Sequence, residues 1–230
     1  MPDLLFDLPA IPAVPVRGTD ARFPVHRIFC VGRNYEAHAQ EMGTTADREA
    51  PFYFTKSPAA LTLSGASVPY APGTADLHHE MELVVAIGAP GFEIAPADAM
   101  DHVFGFACGL DMTRRDLQNA AKDKRRPWDT GKDFENAAII AAISPAAEFS
   151  AITAQRIWLS VNGEVRQDQT LADFVWSVPD LIADLSQYYH LEPGDLIYTG
   201  TPAGVGPVVP GDSLHGAIEG LDPVELEISA

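Results

Sequence analysis

Apolar positions along this chain fall into short runs and alternating stretches, the spacing of strands more than of helices. Arg27-Ile28-Phe29-Cys30-Val31 reads as a short buried strand stopped by Gly32, and residues 52–55 (FYFT) as an aromatic strand. Residues 82–88 (ELVVAIG) and 103–110 (VFGFACGL) are unbroken apolar runs, the pattern of strands buried on both faces. The clearest local signal is Asn162-Gly163 between Arg156–Val161 and residues 164–169, which predicts a hairpin with a tight primed turn. Residues 195–199 and Val224–Ser229 read as further strands, and Pro-Gly-Asp turns at Pro193 and Pro210 each precede a strand. Helical spacing is confined to short segments: 35–42 after a possible Asn34 cap, 113–124, and 180–189 with Leu181, Leu185 and Tyr188 on one stripe. Pro2, Pro9, Pro12, Pro15 and Pro24 predict an extended arm over residues 1–26, leaving 27–230 as one domain. The expected class is mostly β with short helices, an α+β chain with mixed sheets. Residues 61–67 find no place in this scheme.

Composition narrows the partners. With 15 Lys and Arg against 32 Asp and Glu the net charge is −17, which disfavours nucleic acid and anionic lipid. A small anionic substrate remains compatible, provided a few cations and a metal converge locally. At 47% hydrophobic and 20% charged residues the chain is not disordered, and its 230 residues suffice for a core without disulfide staples. Cys30 and Cys108 each lie in an apolar run, as buried reduced thiols do, and a cytoplasmic setting is expected. The start, MPDLLFDLPAIPAVPVRG, carries Asp3 and Asp7 and lacks the positive beginning of a leader. No apolar run approaches the ~18 residues of a membrane span.

His78-His79-Glu80-Met81-Glu82 is the sharpest chemical feature. In an extended segment Glu80 and Glu82 project to one face, where two carboxylates repel unless a cation or shared proton intervenes. A hard divalent ion answers that need; a solvated strand face is the plain alternative. Asp111 follows the second apolar run and is either a further ligand or the N-cap of the helix after it. On that helix Arg115 and Gln118 would share its face, a set suited to an oxo-acid; a surface salt bridge is the alternative for Arg115. Lys132 sits in a loop after Trp128, where a lysine is ordinarily solvated, and Lys122, Lys124, Arg125 and Arg126 read as a wet helix end. His38 and Glu41, three residues apart, can pair as an oriented imidazole base or as a mere surface pair. Residues 199–206 (TGTPAGVG) form a glycine-rich loop whose threonines can hold a carboxylate; it matches no nucleotide-binding fingerprint.

Several of these blocks run in the order found in one family. Val31-Gly32-Arg33-Asn34-Tyr35 with His38 and Glu41, Phe54-Thr55-Lys56, His78-His79-Glu80-Met81-Glu82-Leu83, and Leu110-Asp111-Met112-Thr113-Arg114-Arg115-Asp116 are four. Arg126-Pro127-Trp128 with Lys132, and Gly194-Asp195 through Thr199-Gly200-Thr201-Pro202 to Pro207, complete the set. The chain resembles the fumarylacetoacetate hydrolase superfamily, in its acylpyruvate hydrolase branch, and looks most like the bacterial fumarylpyruvate hydrolases of gentisate breakdown.

The resemblance implies a mixed β roll, a homodimer, and Mg2+ or Mn2+ held by Glu80, Glu82 and Asp111. It implies that Arg33, Lys56, Arg115, Gln118 and Thr201 bind a small 2-oxo-carboxylate substrate. Lys132 would steady an enolate, and His38 with Glu41 would orient the attacking water on a lid. The implied reaction is metal-dependent C–C hydrolysis of an acylpyruvate, fumarylpyruvate giving fumarate and pyruvate. Oxaloacetate decarboxylation or dienedioate isomerisation on the same scaffold is the alternative within the family. A non-enzymatic protein with solvated acids is the alternative outside it.

Overall fold

Met81–Ile87 is buried at every position, and so is Val103–Asp111 beyond its first two residues. In the computed structural model of the chain, which describes residues 5–7, 10–149 and 151–229, these strands pair antiparallel at the centre of the largest sheet. Across that sheet run Phe52–Lys56, Arg27–Gly32, Asp195–Tyr198, Met81–Ile87, Val103–Asp111, Ala138–Ile140 and Leu61–Leu63, with Ser144–Pro145 alongside Val103–Asp111. The sheet is mixed: Asp195–Tyr198 runs parallel to Arg27–Gly32, and Ala138–Ile140 parallel to Leu61–Leu63.

Alternation along the central strands divides the core in two. Leu83, Val85 and Ile87, with Phe29 and Val31, face a large apolar cluster closed by a second sheet. That second sheet is ordered Glu164–Thr170, Arg156–Val161, Ser213–Ile218, Val224–Ser229 and Ala66–Pro69. Val84 and Ala86, with Ile28 and Cys30, face the other way, into a smaller cluster completed by Val14, Val16, Phe23 and Val25. A central strand buried on both sides needs both covers. Where the prolines predict an extended arm, the described part folds back as a hairpin, Ala13–Pro15 against Arg22–Pro24. The arm's first four residues, with Pro2 and Asp3, and Pro9 lie outside the described residues.

The hairpin at Asn162-Gly163 forms as expected, with both residues at positive φ (53° and 82°), as a primed turn requires. The unplaced 61–67 segment contributes to both sheets: Leu61–Leu63 joins the first, and Ala66–Pro69 pairs parallel with Val224–Ser229 in the second. Cys30 and Cys108 are both buried and unpaired. Among the described residues no helix is long and apolar enough to cross a membrane.

Candidate active site

Three acids meet where the central strands end. Glu82 lies on Met81–Ile87, Glu80 immediately before it, and Asp111 closes Val103–Asp111. The register sets Glu82 beside Gly109, and the Asp111 N–H donates to the Glu80 carbonyl at 2.9 Å. All three side chains are buried, and one carboxylate oxygen from each lies within 4.8 Å of the others. Asp111 is therefore no helix cap: the helix Arg115–Asp123 starts four residues later, behind the short strand Thr113–Arg114. Nor does it share a helix face with Arg115 and Gln118; Glu80 and Lys132 link them instead.

The cations come from elsewhere in the chain. Lys132 ends a short helix, Asp129–Lys132, and is buried rather than solvated in a loop. Its Nζ donates to Glu80 Oε2 (2.8 Å), Asp111 Oδ2 (2.7 Å) and Thr113 Oγ1 (2.7 Å), which exhausts its donors. Arg115 donates to Glu80 and, at 2.5 Å, to Gln118 Oε1. Lys56 stands behind Asp111, 2.8 Å from Oδ1, and its hydrogen bonds go to the carbonyls of Met112 and Lys132.

The charges are unequally matched. Burial raises the Glu80 carboxyl, but Lys132 and Arg115 outweigh it and hold the group well below the usual carboxylate range. Burial likewise opposes the Lys132 ammonium, yet Asp111 and Glu80 raise it. Glu82 has no ion-pair partner among the described residues; its hydrogen bond comes from Gly200 N at 2.8 Å. Burial, then Asp111 and Glu80, push its carboxyl well up. A cation placed among the three acids would relieve that penalty, and an all-oxygen donor set suits a hard divalent ion. The residues present fit such an ion.

Opposite the acids stands the helix Glu36–Glu41, with His38 buried. His38 Nδ1 lies 3.4 Å from Glu41 Oε2, and burial lowers its pKa from the ordinary histidine value. Asn34 does not cap this helix. It spans two loops instead, donating to Trp176 O (3.0 Å) and Thr199 O (2.9 Å) and accepting from Trp176 N (2.7 Å). Arg33 takes a left-handed backbone, φ 59°, at the edge of the hollow. Thr201 Oγ1 accepts from Gln167 Nε2 at 2.7 Å, and Gln167 is wholly buried.

These groups gather round one shared hollow that opens to solvent. Arg33, His38, Glu80, Glu82, Arg115, Gln118, Lys132 and Thr201 line it, while Asp111, Lys56 and Glu41 stand behind the lining. Sequence reasoning missed Asn34, Gln167 and Thr113 as supports, and Phe54, Trp128, Met42 and Lys122 as lining. Lys122 departs from its basic neighbours: it is half-buried at the hollow, where a wet helix end was expected. Its spacing four residues after Gln118 was the available signal.

Known proteins resemble this chain over most of its length. Residues 27–229 match the family model described as fumarylacetoacetate (FAA) hydrolase C-terminal. The chain is 51% identical over 189 residues to fumarylpyruvate hydrolase from Ralstonia sp, covering 81% of this chain and 98% of the relative. It is 40% identical over 197 residues to mitochondrial oxaloacetate decarboxylase from Dictyostelium discoideum, covering 85% and 90% respectively. A crystal structure of fumarylpyruvate hydrolase from Pseudomonas aeruginosa, in complex with Mn2+ and pyruvate, superposes with a TM-score of 0.95. The two are 42% identical, over 99% of each chain.

Proposed function

We propose that this chain, which belongs to the fumarylacetoacetate hydrolase family, hydrolyses a C–C bond in acylpyruvates and acts on fumarylpyruvate, giving fumarate and pyruvate. One observation carries the reading: Glu80 and Glu82, clustered with a buried Asp111, line the same hollow as a buried His38.

Glu80, Glu82 and Asp111 would hold the divalent ion, Mg2+ or Mn2+; the Pseudomonas aeruginosa structure contains Mn2+. When bound, that ion supplies Lewis-acid stabilisation of the negative charge that develops on the 2-oxo group. Lys132 and Arg115 fix the Glu80 carboxylate from two sides and add positive charge close to the same point. Lys56 holds Asp111 from behind.

A proton on Nδ1, held toward Glu41, leaves the His38 Nε2 lone pair free to act as the base. Nε2 takes a proton from water, and the water oxygen bonds to the C4 carbonyl carbon of the substrate. The C3–C4 bond breaks, and its electron pair passes to the pyruvate fragment as an enolate. The C4 fragment leaves as fumarate, and the proton held by His38 returns to C3 to give pyruvate. Burial keeps His38 neutral, so the base is ready near neutral pH. Thr201 and Gln118 remain to position the substrate carboxylate.

The family resemblance supports a homodimer, and the unpaired Cys30 and Cys108 suit a reducing cytoplasm. The test compares kcat/KM on fumarylpyruvate, acetylpyruvate and oxaloacetate with Mn2+ or Mg2+ present. Fumarylpyruvate is expected to lead. Turnover of oxaloacetate alone, undiminished in His38→Ala, would instead select decarboxylation, which needs no attacking water.

A further inference from the structure

Fumarylpyruvate has two carboxylates, and the groups assigned so far receive the one beside the 2-oxo group. The helix Arg115–Asp123 carries Arg115, Gln118 and Lys122 on one face, and all three line the hollow. Arg115 and Gln118 bond to each other. Lys122 makes no hydrogen bond or ion pair through its side chain among the described residues, and neither does Arg33, half-buried on the same hollow. Partial burial, then the Arg33 and Arg115 charges, lower the Lys122 ammonium; adjacent Asp123 offsets this only weakly. Two unmatched cations facing one cavity are conspicuous in a chain with 32 acids and 15 bases. Like charges held together favour an anion between them.

Dimensions and surface chemistry agree. The helix rise sets the Lys122 backbone about 10 Å beyond that of Arg115. Six carbon–carbon bonds of about 1.5 Å, extended as a zigzag, separate the two carboxyl carbons of a seven-carbon diacid by roughly 7 Å. Flexible side chains cover the difference. Phe54 and Trp128, with ring centroids 6.0 Å apart, line the same hollow and offer an apolar wall to a flat, uncharged enoyl segment.

We propose that Arg33 and Lys122 form a second carboxylate site, which selects 2-oxo acids whose acyl arm ends in a carboxylate over those with an uncharged end. The inference rests on the reading above only in seating the 2-oxo end at the acidic triad.

Two uncleavable probes of equal length test it, 2-oxoheptanedioate and 2-oxoheptanoate, since neither has the 4-keto group that hydrolysis requires. Calorimetric titration of the Mn2+-loaded protein is expected to give the diacid at least about tenfold tighter binding, the low end for a charge-assisted contact. Lys122→Gln and Arg33→Gln, each still binding Mn2+, reduce that preference to below about threefold. Equal affinity of the parent for both probes, no binding of the diacid, or a preference undiminished in both variants overturns the site. Fumarylpyruvate cleavage is read separately. A parent that prefers the diacid but leaves fumarylpyruvate intact contradicts the assigned reaction and leaves the second carboxylate site standing.

Discussion

The backbone N–H of Gly204 donates to both carboxylate oxygens of Glu41, at 3.2 and 3.1 Å, and so ties the glycine-rich loop to the helix that carries His38. Gln167 holds the same loop from beneath, through Thr201 Oγ1 at 2.7 Å and Pro202 O at 2.8 Å. The base is thus oriented by a chain of contacts from the second sheet through the loop to the helix.

Gly204 has little freedom to change. Its φ is +94°, and an added Cβ would press on the backbone of Arg166. Gly204→Ala is expected to displace the loop, loosen Glu41 and lower kcat by at least about tenfold, a part of what a general base contributes. Mn2+ binding by calorimetry should persist, because Gly200, the loop's contact with Glu82, follows Thr199, which is bonded to Leu83 O at the loop's other end. Unchanged kcat would show that His38 does not depend on this anchor.

Lys56 is expected to behave as a support for Asp111 rather than as a substrate contact. Lys56→Met leaves Asp111 buried with only Lys132 as its cation. Losing one partner of a buried pair costs about 3–5 kcal/mol, so denaturant unfolding should shift strongly. Addition of Mn2+ should restore much of the loss by binding the native state. A variant of parental stability with only a raised KM would assign Lys56 to the substrate instead.

Acid sensitivity has two sources with distinct signatures. His38 acts as a base only when neutral, and its lowered pKa keeps it so to more acidic pH than an ordinary histidine. With metal saturating, the acid limb of kcat is expected below about 6.5, the unperturbed histidine value. Glu82 acts through the metal instead: with its carboxyl raised, protons compete with Mn2+ for it, so Mn2+ affinity falls as pH falls. Profiles of kcat at saturating Mn2+, beside Mn2+ titrations across the same range, separate the two. An acid limb lying above the ordinary histidine range would contradict the lowering of His38.

What local pattern reveals in this chain is what short-range physics governs. The apolar run before Gly88 identifies a strand buried on both faces, and the spacing of Glu80 and Glu82 puts their carboxylates together without knowledge of the fold. Asn162-Gly163 specifies its turn for the same reason. The failures share one cause. Asn34 satisfies the local rule for a cap, yet bonds to Trp176 and Thr199, far along the chain. Asp111 has a capping residue's identity, but its strand continues far enough to pair with Ala138. Residues 61–69 divide between two sheets through parallel partners beyond position 130, which no local periodicity encodes. Lys56 and Gln167 are single polar residues whose roles exist only once distant strands pack.

Among the described residues Glu82 is the acid of the triad without an ion-pair partner, so its exchange for glutamine bears most directly on whether the triad holds a metal. Mn2+ titration of the parent and of Glu82→Gln, followed by calorimetry and by the electron paramagnetic resonance of free Mn2+, is the measurement. One bound ion per parent chain is expected, with affinity reduced at least about a hundredfold in the variant, as for loss of a charged ligand worth some 3 kcal/mol. Parental affinity and stoichiometry in Glu82→Gln would contradict the account.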